Sequence, residues 1–188
     1  MSSLSDFTGG GGGGLTPKFE EFNSAGTFTP TQALIDAGGY IELFLVGGGG
    51  RSGAASYGAC GGETILTQMY LTSTTGCAVT IGAGGASNFA AGGSSTFAGS
   101  SAGGVDVTAL GGLGYDNQDG KMGSGWGSFN NGSGGQAAGS GMFGYGAGGA
   151  NENGSDSGGV KTPKANSGQG SLNGINGGSG YCLIKWYE

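Results

Sequence analysis

Glycine occupies 51 of the 188 positions and proline only 3, a ratio that constrains this chain more than any motif in it. Glycine loses more backbone freedom on folding than any other residue, so glycine-rich sequence orders only where its packing requires the missing Cβ. Collagen is one such packing, but it needs a strict G-X-Y period and abundant proline, and both are missing. Disorder is the other usual outcome of this composition. Two features oppose it: the net charge is only −6, too small to hold the chain open by self-repulsion, and aromatics make up 10% of the residues.

The apolar residues are also clustered. Five short segments, 40–46, 63–71, 77–81, 105–110 and 181–187, hold 34 residues but carry 15 of the 31 Leu, Ile, Val and Phe. Each reads as a strand. Tyr40–Val46 is apolar on both faces, as a covered central strand should be. Cys77, Val79 and Ile81 alternate inward, as do Cys182, Ile184 and Trp186; Val105 and Val107 share one face opposite Asp106 and Thr108. Residues 63–71 run to a turn at 72–76, which predicts a hairpin with 77–81. The expected fold class is mainly β: a short-strand framework (26–188) with a glycine-rich region and an extended N-terminal arm.

Residues 1–25 are assigned to that arm because Gly9–Gly14 is an unbroken glycine run, by default a flexible tether. Leu4, Phe7, Phe19 and Phe22 are its candidate attachment residues. Residues 111–180 are expected to hold the unusual packing, with polyproline-II-like helices side by side, close backbones and N–H···O and Cα–H···O bonds between them. Small residues recur at every third place through Gly132, Gly135, Ala138, Gly141, Gly144, Ala147 and Ala150.

The chain has no histidine, which removes Ser-His-Asp and Cys-His catalysis, histidine-ligated zinc and haem, and a histidine pH switch. Gly99-Ser-Ser-Ala-Gly103 fits the nucleophile-elbow pattern, but nothing is present to activate Ser101. Gly139-Ser-Gly-Met-Phe-Gly144 fits G-x-G-x-x-G without a preceding strand, and Gly120-Lys121 lacks the rest of a P-loop. Catalytic residues and cofactors are therefore not expected. The metal candidates are Asp116 and Asp119, in a single approximate copy of the calcium-binding nonapeptide; a solvated turn is the preferred reading. Asn131-Gly-Ser133 and Asn153-Gly-Ser155 match the glycosylation sequon only formally. Cys60, Cys77 and Cys182 are odd in number and widely spaced, and read as reduced, buried thiols. Twelve acidic against six basic residues argues against nucleic-acid binding, and no apolar run is long enough to insert in a membrane. The remaining functional signal is Tyr115, Trp126, Phe129, Phe143 and Tyr145, aromatics mounted on glycine-rich backbone. They are candidate receptor-binding residues at loop tips, or else plugs between glycine helices.

The order of segments resembles the glycine-rich domain of bacteriophage tail-fibre and tail-tip proteins. It runs from Ile41-Glu-Leu-Phe-Leu-Val-Gly-Gly-Gly-Gly through Gly61-Gly-Glu-Thr-Ile-Leu, Val79-Thr-Ile-Gly-Ala-Gly-Gly85 and Gly92-Gly-Ser-Ser-Thr-Phe97 to Gly180-Tyr-Cys-Leu-Ile-Lys-Trp186. More distantly the chain is similar to the adhesins of T-even-like phages, whose polyglycine-II helices carry receptor-binding loops. The likeness covers residues 25–188. It departs from the adhesins where Asn-Glu-Asn, Val-Lys-Thr-Pro-Lys and Leu-Asn-Gly-Ile-Asn interrupt the doublets. The resemblance implies a non-enzymatic virion protein, assembled in the host cytoplasm, that joins other virion proteins through its N-terminal arm. Its other partner would be a bacterial surface glycan or outer-membrane protein, and a homo-oligomer such as a trimer is implied. The alternative is a purely structural head, collar or baseplate protein that acts through subunit packing.

Overall fold

A computed structural model describes residues 14–53, 59–104, 106–114, 163–171 and 175–188. Eight strands among them form two antiparallel four-stranded sheets. The first has the order β1 (Pro17–Phe22), β8 (Tyr181–Tyr187), β3 (Tyr40–Val46), β4 (Thr64–Tyr70). The second has the order β2 (Gly26–Phe28), β5 (Cys77–Thr80), β6 (Ser95–Ala98), β7 (Val107–Ala109). Period-two alternation sends Ile41, Leu43, Leu45, Cys182, Ile184 and Trp186 from the first sheet against Phe28, Cys77, Val79, Phe97 and Ala109 of the second, in one buried cluster. Phe28 bridges the layers, with its ring centroid 5.3 Å from Trp186 in an edge-on contact and 6.4 Å from Phe97. The short helix α1 (Gln32–Asp36) starts where the Thr31 side chain accepts from the Leu34 N–H, and it inserts Leu34 into the same core.

The mainly β expectation is met, and β3 and β8 have the predicted limits. Three expectations are corrected. Residues 17–22 are not arm but strand β1, paired with β8 along its whole length, because Phe22 belongs to the core. Residues 63–71 and 77–81 do not form a hairpin: β4 pairs with β3 in one sheet and β5 with β2 and β6 in the other. Alternation fixes which face of a strand points inward, not which partner it takes, and the connection at 72–76 crosses between layers about 10 Å apart. Of the 105–110 segment, β7 takes in Val107–Ala109, while Asp106 and the exposed Leu110 flank it; Val105 lies outside the described residues. Leu4 and Phe7, and the three-residue register of residues 132–150, lie outside the described residues.

Beyond one end of the sandwich the strands continue into glycine segments. β3, β5 and β7 run out into 47–51, 82–85 and 110–114; residues 59–63, 90–93 and 176–180 run back into β4, β6 and β8. With 167–171 these make one hydrogen-bonded array. Segment 47–51 donates to three neighbours: Gly47 and Gly50 to Glu63 and Cys60, Gly48 and Arg51 to Gly93 and Ala90, and Gly49 to Gly178. It accepts from three others through Gly112, Gly85 and Ser171. Residues three apart thus address the same neighbour. Around the centre the ring closes through Cys60 to Leu113, Gly92 to Gly112, Gly93 to Ala83, Gly177 to Gly85, Gly178 to Gln169 and Gly62 to Gly168. The central glycines are all buried. A Cβ on Gly48 would strike the carbonyl of Ala83, and one on Gly92 the carbonyl of Gly48, both inside the 3.0 Å that real Cβ atoms keep. Only glycine fits at the centre, whereas ring segments carry side chains on their outer third, as Leu110 and Leu113 do.

Candidate functional site

Among the described residues the array has two distinct ends. At the sandwich end, Tyr187 lies opposite Pro17 in register, and Thr16 exchanges backbone hydrogen bonds with Glu188. The chain therefore enters β1 at the end remote from the glycine segments. At the far end of the array, 47–51 reaches Arg51, 82–85 passes into a turn over 86–90, Gly114 lies beside that turn, and 176–180 runs back to β8.

Arg51 organises this tip. Its Nη1 donates to the Ala86 carbonyl and, at 2.7 Å, to Asn176 Oδ1; its Nη2 donates to Asn88 Oδ1 at 3.3 Å. A planar guanidinium with five donors can hold three segments in this way where an ammonium could not. The Nε is buried without a partner. All the oxygens that Arg51 meets are uncharged, and the ion pair formed among the described residues is at the opposite end, between Lys18 and Glu188 at 3.7 Å.

The turn itself is strained. Ala90 N–H donates to the Ser87 carbonyl at 3.0 Å, closing a four-residue turn in which Asn88 and Phe89 are central. Phe89 has φ +62°, the left-handed region, where a turn with positive φ at its third residue ordinarily takes glycine. Nevertheless it is phenylalanine, 44% exposed, with its ring lying over Gly53. A bulky residue is thus kept in a costly conformation on the surface, in a turn that Arg51 holds through Asn88 Oδ1 and the Ala90 carbonyl.

Tyr115, Trp126, Phe129, Phe143 and Tyr145, the aromatics singled out in the sequence, lie outside the described residues, as do Asp116 and Asp119. A Cβ on Gly114, which precedes Tyr115 in the sequence, would meet the Phe89 carbonyl. Of the attachment candidates, Phe19 is 68% exposed on the outer face of β1, and Phe22 is buried. Sequence reading missed Arg51, Asn88, Phe89 and Asn176. The available signal was Arg51 directly after Gly47–Gly50, the point where a central segment must end. Ser101, in the elbow-like motif, is buried in a short 3-10 helix with its Oγ 2.8 Å from Cys77 Sγ, closed to any substrate. Cys182 is equally enclosed, and burial, with the Glu20 charge adding to it, pushes its thiol up to about 12.

Neither a protein-family model nor a curated protein matches the chain.

Proposed function

We propose that this chain is a bacteriophage virion protein, a tail-fibre or tail-tip component that presents rigid, glycine-supported loops to the host surface and carries out no chemistry. The observation that carries the reading is the polarity of the molecule. Chain entry and sandwich lie at one end, the Arg51–Phe89 tip at the other, and a hydrogen-bonded glycine array connects them. The array is read as a short polyglycine-II bundle: bonds repeat every three residues, and one chain has six neighbours. Such a support suits recognition because a preorganised loop loses little entropy on binding. The N-terminal residues preceding β1 would attach the protein to other virion proteins, leaving the tip free to meet a bacterial glycan or outer-membrane protein.

A second reading, a structural virion protein acting through subunit packing, is favoured by one surface. Phe19, Tyr187, Leu66 and Tyr70 all project from the outer face of the first sheet and are more than half exposed. Binding of the purified, fluorescently labelled chain to a panel of intact bacteria separates the two. Saturable binding to particular strains, with loss of phage adsorption when the protein is added first, supports recognition. Folded protein that binds no strain, but fails to enter particles when Phe19 and Tyr187 are replaced by serine, supports packing.

A further inference from the structure

The hydrogen-bond polarity of the tip specifies a ligand class. The guanidinium of Arg51 can only donate, so the groups facing it from Asn88 and Asn176 are their carboxamide oxygens. Both amide nitrogens are thereby turned away from Arg51, and among the described residues neither has a hydrogen-bond partner. The Arg51 Nε is also unmatched, but it is buried and faces no ligand. The tip therefore combines one full positive charge, balanced by no carboxylate among the described residues, with several unused donors. Beside them stands the partly exposed ring of Phe89. A donor-rich, cationic site next to a flat apolar face complements a ligand with the reverse pattern: an anionic, acceptor-rich group on a ring with an apolar face. A long polyanion is disfavoured, since the chain as a whole carries −6.

We infer that the Arg51–Asn88–Phe89–Asn176 cluster binds an anionic sugar, one bearing a carboxylate or a phosphate, with Phe89 under the sugar ring and Arg51 and the two carboxamides around the acid group. This rests on reading the tip as the recognition end, and it adds the chemistry that the tip selects.

Titration of the ¹⁵N-labelled full chain with galacturonic acid and glucose 6-phosphate, each beside its neutral parent galactose or glucose, tests it. The acids shift the side-chain amide resonances of Asn88 and Asn176 saturably, at least about tenfold more tightly than the neutral sugars, and less so at high salt. The tighter acid identifies the carboxylate or the phosphate as the preferred group. Arg51→Ala risks loosening the tip, so the decisive variant is Asn176→Asp. It keeps the oxygen that faces Arg51 but neutralises the charge and removes the outward donor. Acid binding then falls about tenfold while Tm is not lowered. Equal shifts with neutral sugars, or unchanged affinity in Asn176→Asp, would overturn the anionic assignment. So would silence towards both acids from a protein that still binds bacteria, an outcome that leaves the recognition reading standing. Acid-selective shifts in a protein that binds no bacterial strain would uphold the site and sink the recognition reading instead.

Discussion

The Ser95 hydroxyl donates to the Val46 carbonyl at 2.6 Å, and this bond ties the two sheets together at the level where both give way to glycine. The same oxygen accepts from the Gly82 N–H at 2.9 Å, so one buried side chain holds the exits of β3 and β5 side by side. The sandwich sets the starting positions of the glycine segments; the segments set the positions of the tip.

Ser95→Ala removes both bonds and leaves a buried carbonyl and a buried N–H without this partner. The expected cost is about 2 kcal/mol, read as a lower Tm and denaturation midpoint. A variant as stable as the parent would show that the junction does not depend on Ser95.

Gly48→Ala and Gly103→Ala separate two reasons for glycine. At Gly48 the added methyl meets the Ala83 backbone carbonyl inside a closed ring, which cannot yield without parting segments; the loss is about 3 kcal/mol or more. Gly103 has open space around its Cβ position but a φ of +68°, so alanine there costs only about 1 kcal/mol. Denaturant titration of the pair should give this order. Equal losses would mean that the central segment is not closely surrounded.

Phe89→Asn puts a residue that tolerates the left-handed region where phenylalanine now sits. Stability should stay within about 1 kcal/mol of the parent, while binding to bacteria drops about tenfold. Loss of stability with binding intact would make Phe89 a packing residue.

Two carboxylates act in opposite directions on acid stability. Hydrogen bonds from Thr31 and then Trp186, with Lys18 nearby, hold Glu188 below its ordinary value of 4.5. The folded chain thus binds this proton less tightly than the unfolded chain, and the stabilisation is present above 4.5 and lost as pH falls towards the lowered value. Glu20 is shifted upward by burial, so its contribution is greatest below its ordinary 4.5 and is lost as pH rises through the folded value. In thermal melts across the acid range, Glu188→Gln should flatten the acid decline. Glu20→Gln should raise Tm at neutral pH and leave it unchanged in acid.

Strands such as β3 and β8 were legible because alternation and continuous apolar runs report burial directly. β1 was not, since Pro17-Lys-Phe-Glu-Glu-Phe22 follows six glycines and exposes most of its side chains, with Phe22 as its inward anchor. Glycine packing is expected from the sequence at 111–180, most of which lies outside the described residues; the array also draws on 47–51, 59–63, 82–85 and 90–93, outside that range. Gly47–Gly50 looked like the end of a strand, yet among the described residues it is the centre of the array, surrounded on every side and so glycine throughout. The tip was hidden because Arg51, Asn88 and Asn176 lie far apart in sequence and meet only when three strands deliver their extensions to one place. Phe89 reveals itself only through its backbone angle, which no sequence pattern records.

Amide hydrogen exchange at Gly47–Gly50, read by NMR on the intact chain, tests most directly whether the glycine segments are an ordered support. Protection of these four amides should equal that of Leu43 and Leu45 in the sandwich core, because each donates to a surrounding segment from a buried position. Exchange at the rate of unstructured chain, with the strand amides still protected, would contradict the account: the sandwich would stand alone, and the tip would have no rigid support.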